Sequence, residues 1–145
     1  MTHSRASAGG APAPRRPAAR TARAPAVTQQ VTFLDTRDLA RTADFYERIL
    51  GLRLARDQGT CRIYHVSDGA YIGFCQKNDV PAEPRGIVVT LVTDAVDEMC
   101  AHLKRHGVEL IKEPADNPPY RIYNAFARDP NGYVIEIQRF WEPLV

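Results

Sequence analysis

Beyond about residue 30 the chain runs as short apolar stretches separated by glycine, proline and aspartate. Val31–Thr36 predicts a strand. Leu39, Ala43, Tyr46, Ile49 and Leu50 then recur at helical spacing, which predicts a helix over Leu39–Leu50, with Asp38 placed to cap it and Gly51 to end it. Leu54–Arg56, Thr60–Val66 and Ala70–Gln76 read as three more strands, followed by a loop over Asn78–Gly86 that holds two prolines. The same order then returns. Ile87–Val92 predicts a strand and Val96–His106 a helix, started by Thr93 or Asp94 and stopped by Gly107. Glu109–Ile111 reads as a short strand, and Ile122–Arg128 with Tyr133–Arg139 as a hairpin across Asp129-Pro130-Asn131-Gly132, residue types that supply the dihedrals of a tight connection. The pattern is βαβββ repeated, with modules at about 30–78 and 86–141 inside a single domain over 28–145.

Residues 1–27 differ in kind. They are Ala, Pro, Arg, Gly and Ser with no aromatic residue and one Val, too little apolar surface to offset ordering entropy, so they read as a disordered arm. A transit peptide is the alternative, which the prolines disfavour. The charge is split in the same place. The arm holds five arginines and no acid, whereas the rest holds 14 Lys plus Arg against 17 Asp plus Glu, a net charge of −3. An acidic domain argues against a specific nucleic-acid partner, because that affinity comes mainly from phosphate neutralisation. The total of 145 residues suits one domain. The longest strongly apolar run, Ile87–Val92, is far short of the ~20 residues a membrane helix needs. Three cysteines, an odd count without an apolar signal core, predict reduced thiols and a cytoplasmic location.

Several stretches resemble the vicinal oxygen chelate superfamily, which includes glyoxalase I, extradiol dioxygenases, methylmalonyl-CoA epimerase, fosfomycin-inactivating thiol transferases and bleomycin-binding resistance proteins. They are Asp38-Leu-Ala-Arg-Thr-Ala-Asp-Phe-Tyr-Glu-Arg-Ile-Leu-Gly-Leu52, Val92-Thr-Asp-Ala-Val-Asp-Glu98, His106-Gly-Val-Glu109 and, most tellingly, Arg128-Asp-Pro-Asn-Gly-Tyr-Val-Ile-Glu-Ile137. The resemblance covers about residues 30–141 and implies an α+β fold: two βαβββ modules forming a curved mixed sheet around a cavity, helices outside. It also implies a homodimer. In such proteins the metal ligands sit on the first and fourth strand of each module, positions held here by Val31, Gly73, Val88 and Glu136. Three of these have no donor atom, so the usual metal site, and with it the usual warrant for glyoxalase or dioxygenase chemistry, is missing. The expectation is no cofactor, with a divalent metal at some other site, or one completed by a second subunit, left open.

Residues at i and i+2 of a strand share a face. Counting from Glu136, the cavity face has an apolar floor of Val31, Phe33, Ile63, Val88 and Phe126, and polar groups Cys61, His65, Tyr71, Cys75, Thr90, Asn124, Glu136 and Gln138. Hairpin pairing sets Cys61 opposite Cys75. With His65 on that face they could form a soft-metal site, a redox pair or a reactive thiol; the plainer reading is two small buried hydrophobes. Glu136 sits in an apolar run, as a general acid or base, a ligand acceptor, or a carboxylate held by a neighbour. His65 is a cavity base or ligand, or simply hydrogen-bonded. His102 and His106 lie at i, i+4 on one helix, a spacing that could bind metal, but on a face that should be solvated. Arg121 and Tyr123 border the Pro118-Pro119 loop and could close over an anion. Trp141 packs the C-terminal tail or stands at a subunit contact.

Two functions follow. The first is a metal-independent protein that binds a small amphipathic molecule, for sequestration or resistance, with Phe33, Tyr71, Phe126 and Val134 as walls and Asn124, Gln138 and Glu136 orienting the ligand. The second is a lyase, isomerase or dioxygenase-like enzyme with a relocated site of Glu136, His65, Cys61 and Cys75. Reactive native thiols favour the second and inert ones the first.

Overall fold

A computed structural model describes residues 23–144; most of the arm inferred at 1–27 lies outside them. Eight strands form two four-stranded mixed sheets. In the N-terminal sheet β1 (Gln30–Thr36), β4 (Ala70–Gln76), β3 (Cys61–Ser67) and β2 (Arg53–Asp57) lie in that order. In the C-terminal sheet the order is β5 (Val88–Val92), β8 (Val134–Phe140), β7 (Ile122–Arg128) and β6 (Leu110–Asn117). Each module thus places its first strand parallel to its last. The two sheets do not close into a barrel. The α+β, two-module architecture expected from the sequence is the one observed.

Helix α1 (Leu39–Ala43) begins where expected, with Asp38 Oδ1 accepting from Arg41 N at 2.9 Å. It does not stay α-helical to Leu50. From Asp44 to Ile49 the turns widen to π-helical, and Leu50 N bonds Phe45 O five residues back. The widened turns bury Phe45, Tyr46, Ile49 and Leu50 together. Gly51 then reverses the chain at φ +72°. Helix α2 (Val96–Arg105) starts at Ala95 with no side-chain cap; Thr93 Oγ1 accepts from Ala95 N instead, so neither Thr93 nor Asp94 caps the helix as expected. The largest correction is β6. It is eight residues long rather than three, runs through Pro114, and meets β7 with two register shifts. Proline is tolerated there because β6 is an edge strand with one side unpaired.

One core joins both modules. Tyr46, Tyr64 and Phe74, all fully buried, stack under the N-terminal sheet, and Phe74 reaches Tyr133 of the C-terminal module at 6.5 Å. Ile135, Ile137, Ala125 and Ala127 continue the core beneath the C-terminal sheet. A buried polar clasp accompanies it. Asp129 accepts from the amides of Asn131 (2.9 Å) and Tyr133 (2.8 Å) and from the Tyr46 hydroxyl (2.9 Å). Thr36 Oγ1 donates to Asn131 Oδ1 at 2.6 Å, and Tyr133 OH donates to Asp35 O at 2.8 Å. The Asp-Pro-Asn-Gly turn therefore does more than reverse the chain. It ties the far end of the second module to the end of β1 and to the helix of the first.

Candidate functional site

The core takes the even positions of the N-terminal sheet: Leu34, Thr36, Tyr64, Ile72 and Phe74 are buried. The odd positions are left on an open face. Register places Val31 beside Tyr71 and Phe33 beside Gly73 on the parallel pair, and Ile63 across from Gly73 and Cys61 across from Cys75 in the hairpin, the latter two being the pairings predicted. One edge of the Phe33 ring lies over Gly73; a Cβ there would sit 2.6 Å from two of its ring carbons. The absent side chain is what lets the ring cover the sheet. Next to it, His65 meets Tyr71 edge to face at 5.4 Å. Strand β2 adds Arg53 opposite His65 and Arg56 opposite Ile63. Arg56, Gln58, Tyr71, Val31, Ile63, Ala55 and Gln29 line a groove of about 400 Å³.

The C-terminal sheet presents a polar counterpart. Thr90 and Phe126 flank Glu136 on the neighbouring strands, and Asn124 pairs with Gln138. Both carboxylate oxygens of Glu136 are occupied: Oε2 accepts from Thr90 Oγ1 at 2.8 Å and Oε1 from Asn124 Nδ2 at 2.7 Å. The other end of the Asn124 amide, Oδ1, accepts from Lys112 Nζ, which also donates to Asn124 O at 3.2 Å. Lys112 stands 5.8 Å from the Phe126 ring centre. Lys112, Asn124, Glu136 and Thr90 thus form one continuous chain of donors and acceptors. Asn124 is almost fully buried within it, so only one orientation of its amide satisfies both charged neighbours. The opposite charges of Lys112 and Glu136 offset one another through a neutral relay. The chain can offer a ligand an oriented carboxylate or ammonium edge beside an aromatic wall.

The residues expected from the sequence therefore fall into two sets. Phe33, Cys61, His65, Tyr71 and Cys75 share the open face of the N-terminal sheet; Thr90, Asn124, Phe126, Glu136 and Gln138 belong to the C-terminal sheet. Cys61 and Cys75 are not the reduced thiols expected but a disulfide. Directly opposed strand residues are close enough for that bond whatever the cysteine count suggests. His65 lies four residues along β3 from Cys61, about 13 Å at strand rise, so it does not join the pair. Of the two histidines expected on a solvated face, His106 is exposed, whereas His102 beside it is half-buried with its Nε2 bonded to Ile49 O at 2.6 Å. Arg121 pairs with Glu142 and lies over Trp141, while Tyr123 donates to Asp97 at 2.7 Å. These contacts hold the C-terminal tail and the start of α2 instead of closing over an anion.

Sequence reasoning missed Lys112 and Arg56. Both sit on strands paired through bulges, so counting by twos could not place them.

The resemblance puts metal ligands at four positions. Val31, Gly73 and Val88 offer no donor, a ring covers Gly73, and both Glu136 oxygens are engaged within the sheet. Among the described residues no three of His, Cys, Asp and Glu converge. None of the described helices is long and apolar enough to cross a membrane.

Paired βαβββ modules with helices packed beneath the sheets define a class of protein, and comparison bears it out. Residues 28–137 match the Glyoxalase/Bleomycin resistance protein/Dioxygenase superfamily, and the chain belongs to it. Among solved structures it is similar to a glyoxalase/bleomycin resistance protein/dioxygenase from Nocardioides (23% identity, 86% of this chain and 89% of that one, TM-score 0.65). It is also similar to an integron cassette protein from the mobile metagenome of the Halifax Harbour sewage outfall (15% identity, 77% and 97%, TM-score 0.68). A third likeness is to a glyoxalase/bleomycin resistance protein/dioxygenase from Alicyclobacillus acidocaldarius (19%, 79% and 92%, TM-score 0.63). At these identities the likeness is one of fold.

Proposed function

We propose that this protein binds a small amphipathic molecule without a metal, by pairing the apolar face of one module with the polar face of the other. The observation that carries the reading is the Phe33 ring over Gly73. The place where the family resemblance puts a ligand to metal is here an aromatic platform. Phe33 is about half exposed although it is a large apolar side chain on a sheet face, as a contact surface for a ligand would be. The Glu136–Asn124–Lys112 chain supplies the orienting polar groups.

The reading includes a homodimer. Strands β1 and β5 are both sheet edges with unpaired backbone, and both expose apolar side chains: Val31 and Phe33 on one, Val88 and Val92 on the other. A second copy laid along these edges would bring the N-terminal face of one chain over the C-terminal face of its partner, covering both. The relocated enzymatic site has less support. Its thiols are bonded to each other, His65 is removed from them, and Glu136 is on the other sheet.

A screen of amphipathic small molecules against isotope-labelled protein tests this. Hits are expected to shift the amides around Phe33, Tyr71, Phe126 and Glu136 together. Phe33→Ala and Glu136→Gln are each expected to weaken a hit about tenfold, the loss of roughly 1.4 kcal/mol of contact. Hits that shift neither face, or affinities indifferent to both substitutions, would refute the reading.

A further inference from the structure

The Cys61–Cys75 bond has a distinctive place in the fold. It joins β3 to β4 between directly opposed residues, on the open face of the sheet rather than in the core. Both cysteines are partly exposed, two residues along from Ile63 and Gly73 and so next to the Phe33 platform. The third cysteine, Cys100, is its opposite: buried beneath the C-terminal sheet, where burial pushes its thiol up from the ordinary value. The chain therefore divides its cysteines into an accessible pair and one inert residue.

The pair also sits at the end of the sheet that holds the first helix. Gln76 follows Cys75. Its amide donates to Thr60 O at 2.8 Å, closing the β3–β4 end beside Cys61. Its side chain reaches the other way. Oε1 accepts from Leu39 N at 2.8 Å, at the start of α1, and Nε2 donates to Arg37 O. A cross-link at Cys75 is thus one residue from a side chain that satisfies the first turn of α1.

We propose that Cys61 and Cys75 form a reversible redox element, whose state sets how firmly the β3–β4 end holds the start of α1. The partner is a low-molecular-weight thiol of the glutathione type. Its thiolate attacks one sulfur, the protein S–S bond breaks, and the other cysteine leaves as a thiolate that takes up a proton. A second thiolate attacks the mixed disulfide, releasing the first cysteine and one molecule of oxidised small thiol. Two small thiols are oxidised and one protein disulfide is reduced, and the reverse exchange closes the bond again. The partly exposed cysteines, on the open face of the sheet, give that first attack its approach. The element does not depend on which ligand the groove takes, so it stands or falls apart from the binding reading.

The test equilibrates the full chain in buffers of graded reduced-to-oxidised glutathione ratio. Thiols are quenched by alkylation, and the modified residues are mapped by peptide mass spectrometry, with circular dichroism reporting the fold. Cys61 and Cys75 are expected to become alkylated together at reducing ratios while the chain stays folded, and to be protected again at oxidising ratios. Cys100 should stay unmodified until denaturant is added. Amide exchange at Gln76 is expected to be about 10- to 100-fold faster in the reduced form, since a cross-link over a loop this short removes opening freedom of that order. Two free thiols that oxidised glutathione never joins would overturn the proposal. So would a bond that resists dithiothreitol until the chain unfolds. Equal exchange of the Leu39 amide, which donates to Gln76 Oε1, in both forms would overturn the coupling to α1.

Discussion

Replacing Phe74 by alanine is expected to destabilise the protein by about 3–5 kcal/mol, the range for removing a fully buried phenylalanine. Phe74 has no exposed surface. Its ring centre lies 4.4 Å from that of Tyr46 and 6.5 Å from those of Tyr64 and Tyr133. Rings on three sides are themselves anchored by hydroxyl hydrogen bonds: Tyr46 to Asp129, Tyr64 to Glu47 and Tyr133 to the Asp35 carbonyl. They cannot collapse into the space without breaking those bonds, so most of the cavity should persist. Phe74 also connects the two halves of the core, so one cooperative transition at lower urea is expected. A variant within 1 kcal/mol of wild type would mean that the modules do not share a core. Phe74→Leu should recover much of the loss, because it restores volume without the ring contacts.

Asp129→Ala is expected to cost about 2–3 kcal/mol, by stranding the Tyr46 hydroxyl and the amides of Asn131 and Tyr133. The pH dependence is the sharper signature. Burial pushes the Asp129 carboxyl above the ordinary aspartate value, and the hydrogen bonds it accepts only partly pull it back. The folded state therefore binds this proton more tightly than the unfolded chain does. The associated stability is fully present below about pH 4, the ordinary value for an unfolded aspartate, and is lost as pH rises through the elevated folded value. Asp129→Asn should abolish that slope. Urea denaturation of both proteins from pH 4 to 7 checks it. If the asparagine variant loses stability across this range as the wild type does, Asp129 is not the group responsible.

Short-range signals explain which features were legible in the sequence. Asp129-Pro130-Asn131-Gly132 fixes one hairpin, and the repeat of the module carries its register to the other, which gives every pairing from Arg128–Val134 to Asn124–Gln138 and from His65–Tyr71 to Cys61–Cys75. That is why the members of both candidate faces could be named from strand parity. Features that depend on irregular backbone or distant partners could not be. Strand β6 carries a proline and two bulges, which hid Lys112 and its bond to Asn124. Asp129 and Tyr46 are 83 residues apart, and nothing local in either announces the clasp. Cysteine count and compartment argued for free thiols, yet the register of one hairpin brought Cys61 and Cys75 within bonding reach. The division of the site between two sheets is tertiary in the same sense. Strand parity says which side of its own sheet a residue takes, not which way the two sheets look.

Ligand binding that needs no metal is tested most directly by metal binding to the full chain. Protein dialysed without chelator, then offered zinc, nickel, iron and manganese in turn and dialysed again, would be assayed by plasma mass spectrometry. Far less than one equivalent of any of them per chain is expected, with ligand binding unchanged by the treatment. Retention of close to one equivalent, lost on Glu136→Gln, would contradict it and restore a metal centre to the polar face.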